Sequence, residues 1–397
     1  MFIDRFLKKE KISHSNYNEL RKLLKQHHLP ALLIDMDAFD SNIEWVINNC
    51  GNKSIRIATK SVRSLEMLKY ILSYSDVFQG VMCFSIAEAL WLRKNGIDDI
   101  LVGYPDLNRG DLELLANDPR GISLMVDLPE HLRVLNQVAK HRPINICLDI
   151  DLSLDLPGIR FGVYRSAIRG QDDLVKFLSV LSGCSKLRLK GLMGYEAQVA
   201  GLGDKKKPLI RGLKNLSNIH YSWLRSRAVK FLKDQGHIVE FVNGGGTGSL
   251  KRTTKESVVT EVTVGSAFYA PALFDFHQEV ELSPAMMFAL PIVRKPTKDI
   301  YTCSGGGYIA SGSLSKASQP VPFLPQSIEL TYHEGLGEVQ TPLKYTGNID
   351  VGIGDPVFFR APKAGEICER FNEIALIRKN KIEKIVKTYR GEGRCFL

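Results

Sequence analysis

The sequence predicts a parallel β/α barrel followed by a second, mainly β domain. From about residue 30 onward, short apolar runs typical of buried strands alternate with longer amphipathic stretches typical of helices. About eight such units favour a closed (β/α)8 TIM barrel, and an open doubly wound sheet is the alternative. After about residue 275, proline and glycine become frequent and the remaining runs are short and β-like.

The predicted barrel strands are short runs rich in β-branched and aliphatic residues. They are Ala31–Ile34, Ile55–Thr59, Val81–Phe84, Ile100–Val102, Ile122–Val126, Ile144–Ile150, Leu187–Met193, Ile238–Val242 and Val258–Val264. Helical stretches lie between several of them, and two examples are Leu65–Leu72 and Ile86–Leu92. Ser85 precedes the second stretch and Glu88 follows three residues later, which is the spacing of a helix capping box.

These patterns divide the chain into three parts. Residues 1–25 are polar and helix-prone, and we expect this N-terminal segment to pack on the β domain. Residues 26–275 form the predicted barrel, and residues 276–397 form the predicted C-terminal β domain. Within the last part, Pro356–Phe359 and Glu373–Ile377 have the composition of strands.

The composition favours a cytoplasmic protein with a large core. The chain has 397 residues, and no apolar run approaches the ~20 residues that a membrane-spanning helix needs. The N-terminus has no apolar segment of the kind found in secretory signals, so we expect neither secretion nor a membrane partner. Seven scattered cysteines, none in a Cys-x-x-Cys pair, indicate reduced thiols.

The net charge of +10 raises the question of nucleic-acid binding. The positive charges are spread along the chain, and the one run, Lys205–Lys207, is short. No combination of basic and aromatic residues forms a nucleic-acid module. We therefore expect no nucleic-acid partner, and we attribute the charge to a solvated surface or to local attraction of an anionic cofactor.

One lysine stands at the end of a predicted buried strand. Lys60 follows the alternating residues Ile55, Ile57 and Thr59. A lysine at the mouth of a strand is partly desolvated, which favours the neutral amine that forms a Schiff base with an aldehyde such as pyridoxal phosphate. The structural alternative is a lysine whose stem covers apolar surface while its ammonium stays in water.

Two glycine-rich segments follow the last two predicted barrel strands. Gly244–Gly246, with Thr247 and Ser249, offers backbone N–H groups and hydroxyls to an anion. Gly265 and Ser266 end the next strand. Phosphate sites in such barrels are often shared between the loops after the last two strands. The segments therefore predict a phosphate site, and tight turns are the structural alternative.

In a series of ordered segments, the chain resembles the fold-type III pyridoxal-phosphate enzymes. These segments are Leu29–Asp37, Lys60, Gly194–Glu196, Gly244–Ser249, Glu334–Pro342 and Lys363–Glu366. Within this group the chain is similar to the D-threonine aldolase and D-serine dehydratase-like branch, and most of all to the bacterial amino acid deaminase/aldolase group. The resemblance implies an alanine-racemase-like (β/α)8 barrel, a D-serine dehydratase-like C-terminal β domain, and a homodimer with active sites at its interface.

The resemblance also implies roles for particular residues. Lys60 would hold pyridoxal 5'-phosphate as a Schiff base, Tyr195 would lie on or beside the cofactor ring, and Arg160 would reach its phenolic-oxygen side. Asp35 or Asp37 would support Lys60, and capping of a helix is the alternative. The implied phosphate-binding residues are Gly245, Gly246, Thr247, Gly265 and Ser266.

The chain departs from this branch where a metal would bind. Its aldolases and dehydratases use a divalent metal held by a histidine and by an Asp or Cys two residues on. Here Ala361 and Pro362 stand in the corresponding stretch, and Glu366 and Cys368 lie nearby. The family's Tyr-Asp-Gly-His run is present as Tyr195–Gln198, without the histidine. A divalent metal is therefore in doubt, and no metal ligand is predicted.

The resemblance supports three functional hypotheses. The first is a pyridoxal-phosphate-dependent lyase that cleaves or dehydrates a small β-hydroxy D-amino acid. The second is an amino-acid racemase, for which Tyr308 or Tyr332 of a partner's β domain would supply a base opposite Lys60. The third is a non-catalytic cofactor-binding protein, which the missing metal residues favour. If metal chemistry is replaced, His333 beside Glu334 is an alternative acid–base pair, unless both side chains are simply solvated.

Overall fold

The computed structural model describes residues 14–312 and 315–396, in which helices are concentrated before residue 270. Four short 3-10 turns accompany them at Thr59–Ser61, Ala272–Phe276, Lys316–Ser318 and Gly365–Arg370. The α-helices are α1 (His14–Leu24), α2 (Met36–Asn49), α3 (Leu65–Tyr74), α4 (Ile86–Lys94), α5 (Arg109–Leu115), α6 (Pro129–Val138), α7 (Gln171–Ser182), α8 (Ala197–Ala200), α9 (Pro208–Asp234), α10 (Leu250–Thr253) and α11 (Ser266–Tyr269).

The strands fall into two groups, one alternating with the helices and one following them. The first eleven are β1 (Ala31–Asp35), β2 (Ser54–Ala58), β3 (Phe78–Cys83), β4 (Ile100–Val102), β5 (Ile122–Val126), β6 (Ile144–Asp149), β7 (Leu154–Leu156), β8 (Ile159–Phe161), β9 (Leu187–Met193), β10 (Phe241–Gly244) and β11 (Glu261–Val264). The others are β12 (Met286–Arg294), β13 (Ile300–Ser304), β14 (Val321–Leu324), β15 (Ile328–Leu330), β16 (Gln340–Tyr345), β17 (Pro356–Arg360), β18 (Glu373–Arg378) and β19 (Lys381–Lys387).

Eight parallel strands close into a barrel, in the ring order β10-β11-β2-β3-β4-β5-β6-β9. The ring closes where Val262 of β11 lies opposite Ile55 of β2. A short antiparallel hairpin, β7–β8, is inserted between β6 and β9 without joining the ring. The closed barrel is therefore confirmed, and the open sheet is excluded.

The barrel interior is packed rather than hollow. One buried cluster is formed by side chains from six strands, with each member at most 9% exposed: Met82, Leu101, Met125, Cys147, Met193 and Phe241. A cluster of the buried Arg56 and Glu261 with the more exposed Asp99 lies toward the amino-terminal ends of the strands. In it Arg56 donates to Glu261 at 2.7 Å and to Asp99 at 3.1 Å. Both carboxylates raise the pKa of Arg56, although burial lowers it, so the charged pair is retained inside the core.

The first predicted barrel strand is not in the barrel. Strand β1 instead pairs antiparallel with β12 and parallel with β18, within a nine-stranded sheet that contains β12–β19. Its three central residues are all buried, and such a continuously apolar run has the same composition in either kind of sheet. The prediction for Ala31–Ile34 was therefore right for the strand and wrong for its sheet. The strand-rich C-terminal region is confirmed.

The chain divides into two compact units. Of the described residues, one unit contains 14–45, 61–67, 266–312 and 315–395, and the other contains 46–60, 68–265 and 396. In the first unit, α1 contacts β17 and the loop before it: the Tyr17 hydroxyl donates to the Pro356 carbonyl at 3.1 Å, and Arg21 pairs with Asp355 at 3.2 Å. The predicted role of residues 1–25 partly lies outside the described residues, and the domain boundaries at 25 and 275 stay predictions.

Local sequence signals set several element boundaries. The Ser85 hydroxyl accepts from the Glu88 backbone N–H, as predicted, while the Glu88 carboxylate accepts from the Phe84 N–H at 3.1 Å. Strand β10 begins three residues later than predicted, because Ile238 is 80% exposed and lies outside the barrel wall. Within the described ranges, no helix combines the length and apolarity required to cross a bilayer.

Candidate active site

The polar residues singled out in the sequence follow the carboxyl-terminal ends of barrel strands. Lys60 follows β2, Tyr195 follows β9, Gly245 follows β10 and Gly265 follows β11. Because all eight strands are parallel, these ends lie at one face of the barrel. The topology therefore places four of the predicted residues at the same end of the barrel, which we call the barrel mouth.

Lys60 lies in the 3-10 turn that follows β2, and its side chain is exposed. Its ammonium nitrogen Nζ donates to the hydroxyl of Tyr104 at 2.6 Å and lies 5.3 Å from the centre of the Tyr104 ring. The prediction that Lys60 is partly desolvated is therefore wrong for this structure. The turn places the side chain beyond the buried end of the strand. Tyr104 follows β4 and is half-buried.

Tyr195 connects the barrel core to the glycine loop. Its ring packs against the interior cluster, and the guanidinium carbon of Arg165 lies 5.5 Å from the ring centre. Burial raises the pKa of Tyr195 to about 12, which Arg165 partly opposes. The Tyr195 hydroxyl is therefore protonated across the neutral range.

The glycine loop after β10 has no room for side chains at two positions. Gly245 has a φ of +84°, and a Cβ atom there would lie 2.3 Å from Val262. A Cβ atom on Gly246 would lie 3.1 Å from Ala200 and 3.2 Å from the Tyr195 ring. Thr247 beside them is buried. The loop backbone therefore lies as close to Tyr195 as only glycine permits. The Tyr195 ring forms one wall of the space beside the loop.

Glu196 holds this loop in place from inside the protein. Its carboxylate is fully buried and accepts hydrogen bonds from the Gly245 N–H at 3.2 Å and the Ser249 hydroxyl at 2.8 Å. The Thr253 hydroxyl also donates to it. Arg225 of α9, likewise fully buried, pairs with the same carboxylate at 3.0 Å. Glu196, which stands where the family motif has an aspartate, therefore fixes the position of the predicted phosphate loop.

The next residues of that motif are structural too. Gln198 is buried in α8, and its amide nitrogen donates to the Leu152 carbonyl and to the Ser217 hydroxyl, both at 2.9 Å. It therefore occupies the position of the missing histidine with two hydrogen bonds to neighbouring elements.

Two carboxylates stand one layer above the interior cluster. Asp127 and Asp149 follow Met125 and Cys147 by two positions, so their side chains face the same side of the strands, toward the barrel axis. Burial, and after it the charge of Asp127, raise the pKa of Asp149 to about 8, against the lowering effect of Arg165. Asp149 is therefore a carboxyl group that changes its charge near neutral pH.

Arg160 lies on β8 of the inserted hairpin. Its guanidinium donates to Asp151 at 2.5 Å and to Asp155 at 3.2 Å, and its carbon lies 4.4 Å from the centre of the Tyr164 ring. These contacts tie Arg160 to its own hairpin, whereas Arg165, five residues later, is the arginine on the ring of Tyr195. The predicted role of Arg160 toward the cofactor stays a prediction.

The remaining predicted residues lie in the first compact unit. Ser266 begins α11, and its hydroxyl is 3.1 Å from that of Ser61, the residue after Lys60. Asp35 accepts from the backbone N–H groups of Asp37 and Ala38, both at 3.0 Å. Asp35 therefore caps the start of α2, which was the structural alternative for it.

The metal-ligand stretch of the second sheet offers little to a cation. Ala361 is buried and accepts a hydrogen bond from the Ala272 N–H through its backbone carbonyl, at 3.0 Å. Burial raises the pKa of Cys368 to about 12, and Glu366 accepts from the Ser311 N–H. Within the ranges that the structure describes, no three His, Cys, Asp or Glu side chains cluster as metal ligands. Tyr332 is 85% exposed, and its ring lies edge-on to the neighbouring His333 ring.

Sequence reasoning missed several of these residues. Tyr104 and Arg165 stand in no recognised motif, and their contacts with Lys60 and Tyr195 join positions far apart in the chain. Asp149 could have been found, since it ends a predicted strand two positions after an apolar residue. Glu196 was noticed only as a departure from a motif.

The family model of the alanine racemase N-terminal domain matches residues 34–272, more than half of the chain. The chain belongs to this family. The resemblance to the fold-type III pyridoxal-phosphate enzymes is therefore confirmed.

Curated relatives are distant in sequence. A 3-hydroxy-D-aspartate aldolase of Paracoccus denitrificans (strain Pd 1222) is 22% identical over 251 residues, which cover 61% of this chain and 60% of that protein. A D-threonine aldolase of Arthrobacter sp is 23% identical and covers 60% of each chain. The chain thus spans about 60% of the length of the curated relatives it matches.

Solved structures extend the likeness over nearly the whole chain. The D-threonine aldolase from Filomicrobium marinum superposes with a TM-score of 0.78 at 20% identity and covers 93% of this chain and 96% of that chain. The D-threo-3-hydroxyaspartate dehydratase from Delftia sp. HT23 gives a TM-score of 0.74 at 17% identity and covers 92% and 98%. At these identities the superpositions establish the fold.

Proposed function

We propose that this chain is a pyridoxal-phosphate-dependent lyase that cleaves or dehydrates a small β-hydroxy D-amino acid. The observation that carries the proposal is Lys60 at the barrel mouth, with its amine bonded to Tyr104 and two glycine segments at the ends of the last two strands. The named activities of the relatives, an aldolase and a dehydratase of β-hydroxy D-amino acids, give the reaction class.

The residues present fit a phosphorylated aromatic aldehyde. The Gly245–Thr247 loop suits a phosphate because its glycines let the backbone come close to a ligand, and substituting either glycine would crowd Tyr195 or Val262. In this structure the Gly245 and Gly246 N–H groups donate to Glu196 and Ser249, so a bound phosphate would have to share or replace these acceptors. Gly265 and Ser266 would add donors from the next loop. Tyr195, buried against the core, would support one side of the ring. Lys60 would form the covalent link.

When bound, the cofactor supplies an electron sink that lets a bond at the substrate Cα break. The chain's own residues then bind and move protons. Lys60 is the base on one face of the substrate, and the Tyr104 hydroxyl, 2.6 Å from its amine, orients it. Arg165 supplies positive charge beside Tyr195, and Arg160 would join it only by leaving its pairs with Asp151 and Asp155. Cleavage requires removal of the β-hydroxyl proton, and dehydration requires removal of the Cα proton.

The assembly and location that we propose follow the family. A homodimer, a cytoplasmic location, an amino acid as the only substrate partner, and no role for nucleic acid or membrane complete the proposal. Whether a divalent metal takes part is a separate question, because Ala361 and Pro362 stand where the resemblance places ligands. Activity measured with and without a chelator, followed by added Mn2+ or Zn2+, answers it directly.

The first experiment compares the wild type with Lys60→Ala and with Lys69→Ala, a control that removes an exposed lysine of α3. We expect wild type and Lys69→Ala to acquire the same visible absorbance with pyridoxal phosphate, and borohydride to fix the cofactor to the peptide containing Lys60. Lys60→Ala should fix none. A wild type that stays colourless, or label spread over several lysines, contradicts the proposal.

The second experiment identifies the reaction. D-threonine, D-serine and 3-hydroxy-D-aspartate are supplied singly, and the carbonyl products and the chirality of the remaining amino acid are measured. Aldehyde or keto-acid formation supports the lyase. Loss of chirality without a carbonyl product supports the racemase instead. Cofactor binding without turnover of any tested substrate supports the non-catalytic alternative.

A further inference from the structure

A cavity of about 180 Å³ lies on the outside of the barrel, between α7 and α9. Its floor is apolar and comes from both helices and from the segment after β6, and includes the buried side chains of Ile150, Ile168, Leu174 and Ala228. The residues discussed at the barrel mouth do not line it, except through Asp151, which binds Arg160. The cavity is therefore a separate feature with its own chemistry.

The rim of this cavity is cationic. Arg169 and Arg227 both line it, and Asp151 is the only acidic residue among its lining side chains. Asp151 already binds Arg160 at 2.5 Å and Arg169 at 3.3 Å. Its charge is therefore matched within the protein, and Arg227, whose hydrogen bond to the neutral Gln171 is 3.2 Å long, leaves an excess of positive charge at the opening.

An exposed tryptophan completes the rim. Trp223 is 52% exposed and lines the cavity, and the guanidinium carbon of Arg227 lies 5.1 Å from the centre of its ring. A single exposed aromatic side chain is ordinary, but here it borders an apolar cavity together with a cation, and an apolar pocket with a few convergent polar groups is typical of a ligand site. A ring and a cation held side by side suit a ligand that has an apolar body and a negative end.

We propose that this cleft binds a small organic carboxylate with a compact apolar body. A dry cavity of about 150 Å³ holds a benzene ring. The cleft therefore accepts one ring or a branched aliphatic group, with the carboxylate at the mouth beside Arg227. An amine would meet the excess positive charge of Arg227, and a phosphate ester would leave the apolar floor unfilled. The proposal does not depend on the proposed catalytic function.

The cleft is connected to the inserted hairpin. Arg169 pairs with Asp151 and Asp155, the two acids that also bind Arg160. A carboxylate that drew Arg169 toward the cleft would leave both acids to Arg160. A ligand that reached Arg169 would therefore change the ion pairs of the hairpin that carries Arg160.

The test uses cyclohexanecarboxylate, which has no aromatic absorbance, and follows tryptophan fluorescence and titration calorimetry on the full-length protein. Cyclohexylamine tests the sign of the charge, and acetate tests the need for an apolar body. We expect saturable binding of the carboxylate in the millimolar range or below, a change in Trp223 emission, and no comparable binding of the two controls. No saturable binding, or equal binding of the amine, overturns the proposal.

Three variants locate the binding. Arg227→Gln should weaken it at least about tenfold, because one charge-assisted contact is lost. Ala228→Leu should weaken it by filling the floor. Lys230→Gln, which removes an exposed cation of α9 outside the lining, should leave it unchanged. Circular dichroism checks each fold, and if Ala228→Leu does not fold, Arg227→Gln alone decides. Unchanged binding by Arg227→Gln overturns the assignment.

Discussion

Replacing Glu196 by alanine removes a carboxylate that joins the glycine loop to α9. Four donors lose their acceptor: Arg225, the Gly245 N–H, and the hydroxyls of Ser249 and Thr253. Arg225 keeps a second ion pair, with Glu256, but it is fully buried and cannot turn to water. The change therefore leaves a partly compensated charge and an unpaired loop amide inside the protein.

The structure sets the size of the effect. Breaking a buried ion pair by removing one partner costs about 3–5 kcal/mol of the free energy of unfolding. Glu196→Gln keeps the shape. Its amide oxygen can still accept from Arg225 and Gly245, and its NH2 can donate to the two hydroxyls, which rotate to accept. Glu196→Gln should therefore cost less, about 1–3 kcal/mol. Glu196→Ala should therefore lower the free energy of unfolding more than Glu196→Gln, because hydroxyl donors can reorient toward glutamine and no donor finds an acceptor in alanine.

Urea unfolding of the wild type and both variants measures these costs, provided that fluorescence and circular dichroism give coincident transitions. Glu113→Ala is the control, because its pair with Arg109 is exposed and contributes only about 0.2–1 kcal/mol. The same variants should bind pyridoxal phosphate more weakly, in the same order, since Glu196 positions Gly245. A Glu196→Ala protein within about 1 kcal/mol of the wild type would refute the reasoning.

Three further predictions concern the described residues. Gly245→Ala should weaken cofactor binding and lower the free energy of unfolding more than Gly236→Ala does. Both glycines have φ near +80°, but only a Cβ atom on Gly245 would meet a neighbour, Val262. Urea unfolding midpoints and cofactor titrations compare the two variants. The pKa of Asp149 is raised to about 8, so between about pH 4 and pH 8 the folded state holds a proton that the unfolded state has lost. The stability that this proton contributes is present below about pH 4 and is lost as the pH rises to about 8. Asp149→Asn should make the free energy of unfolding, measured in urea at pH 5 and pH 8, depend less on pH, and an unchanged pH dependence contradicts the prediction. A thiol reagent should label Cys395 rapidly in the native protein and all seven cysteines only in denaturant, since the other six are buried; mass spectrometry locates the label.

The sequence predicted the barrel because its signal is local and repeated. Strand-like runs separated by helices need no knowledge of the tertiary structure, and parallel pairing follows from the alternation. The sheet that β1 joins could not be predicted in this way. Its partners begin at Met286 and Glu373, and a fully apolar strand has no alternation to indicate which faces it covers.

The candidate site likewise contains residues that the sequence predicted and residues that it did not. Lys60, Gly245 and Gly265 were found because each ends a strand, and strand ends are visible in the sequence. Tyr104, Arg165 and Arg225 were not, because their contacts join loops or helices that come together only in the folded chain. The exposure of Lys60 was mispredicted for a related reason, since a turn of three residues decides it.

The position of β1 has a consequence for synthesis on the ribosome. The barrel ring needs no residue after Val264, whereas Leu32 must find Phe288 and Ile374. At about 5–20 residues per second, roughly 20–70 s pass between the emergence of Leu32 and that of its last partner. During this interval an apolar strand stands at the start of the nascent chain with both hydrogen-bonding edges open, which is the kind of segment that pairs with other chains. Protection of this strand by a chaperone during that interval is therefore expected to increase the yield of native protein.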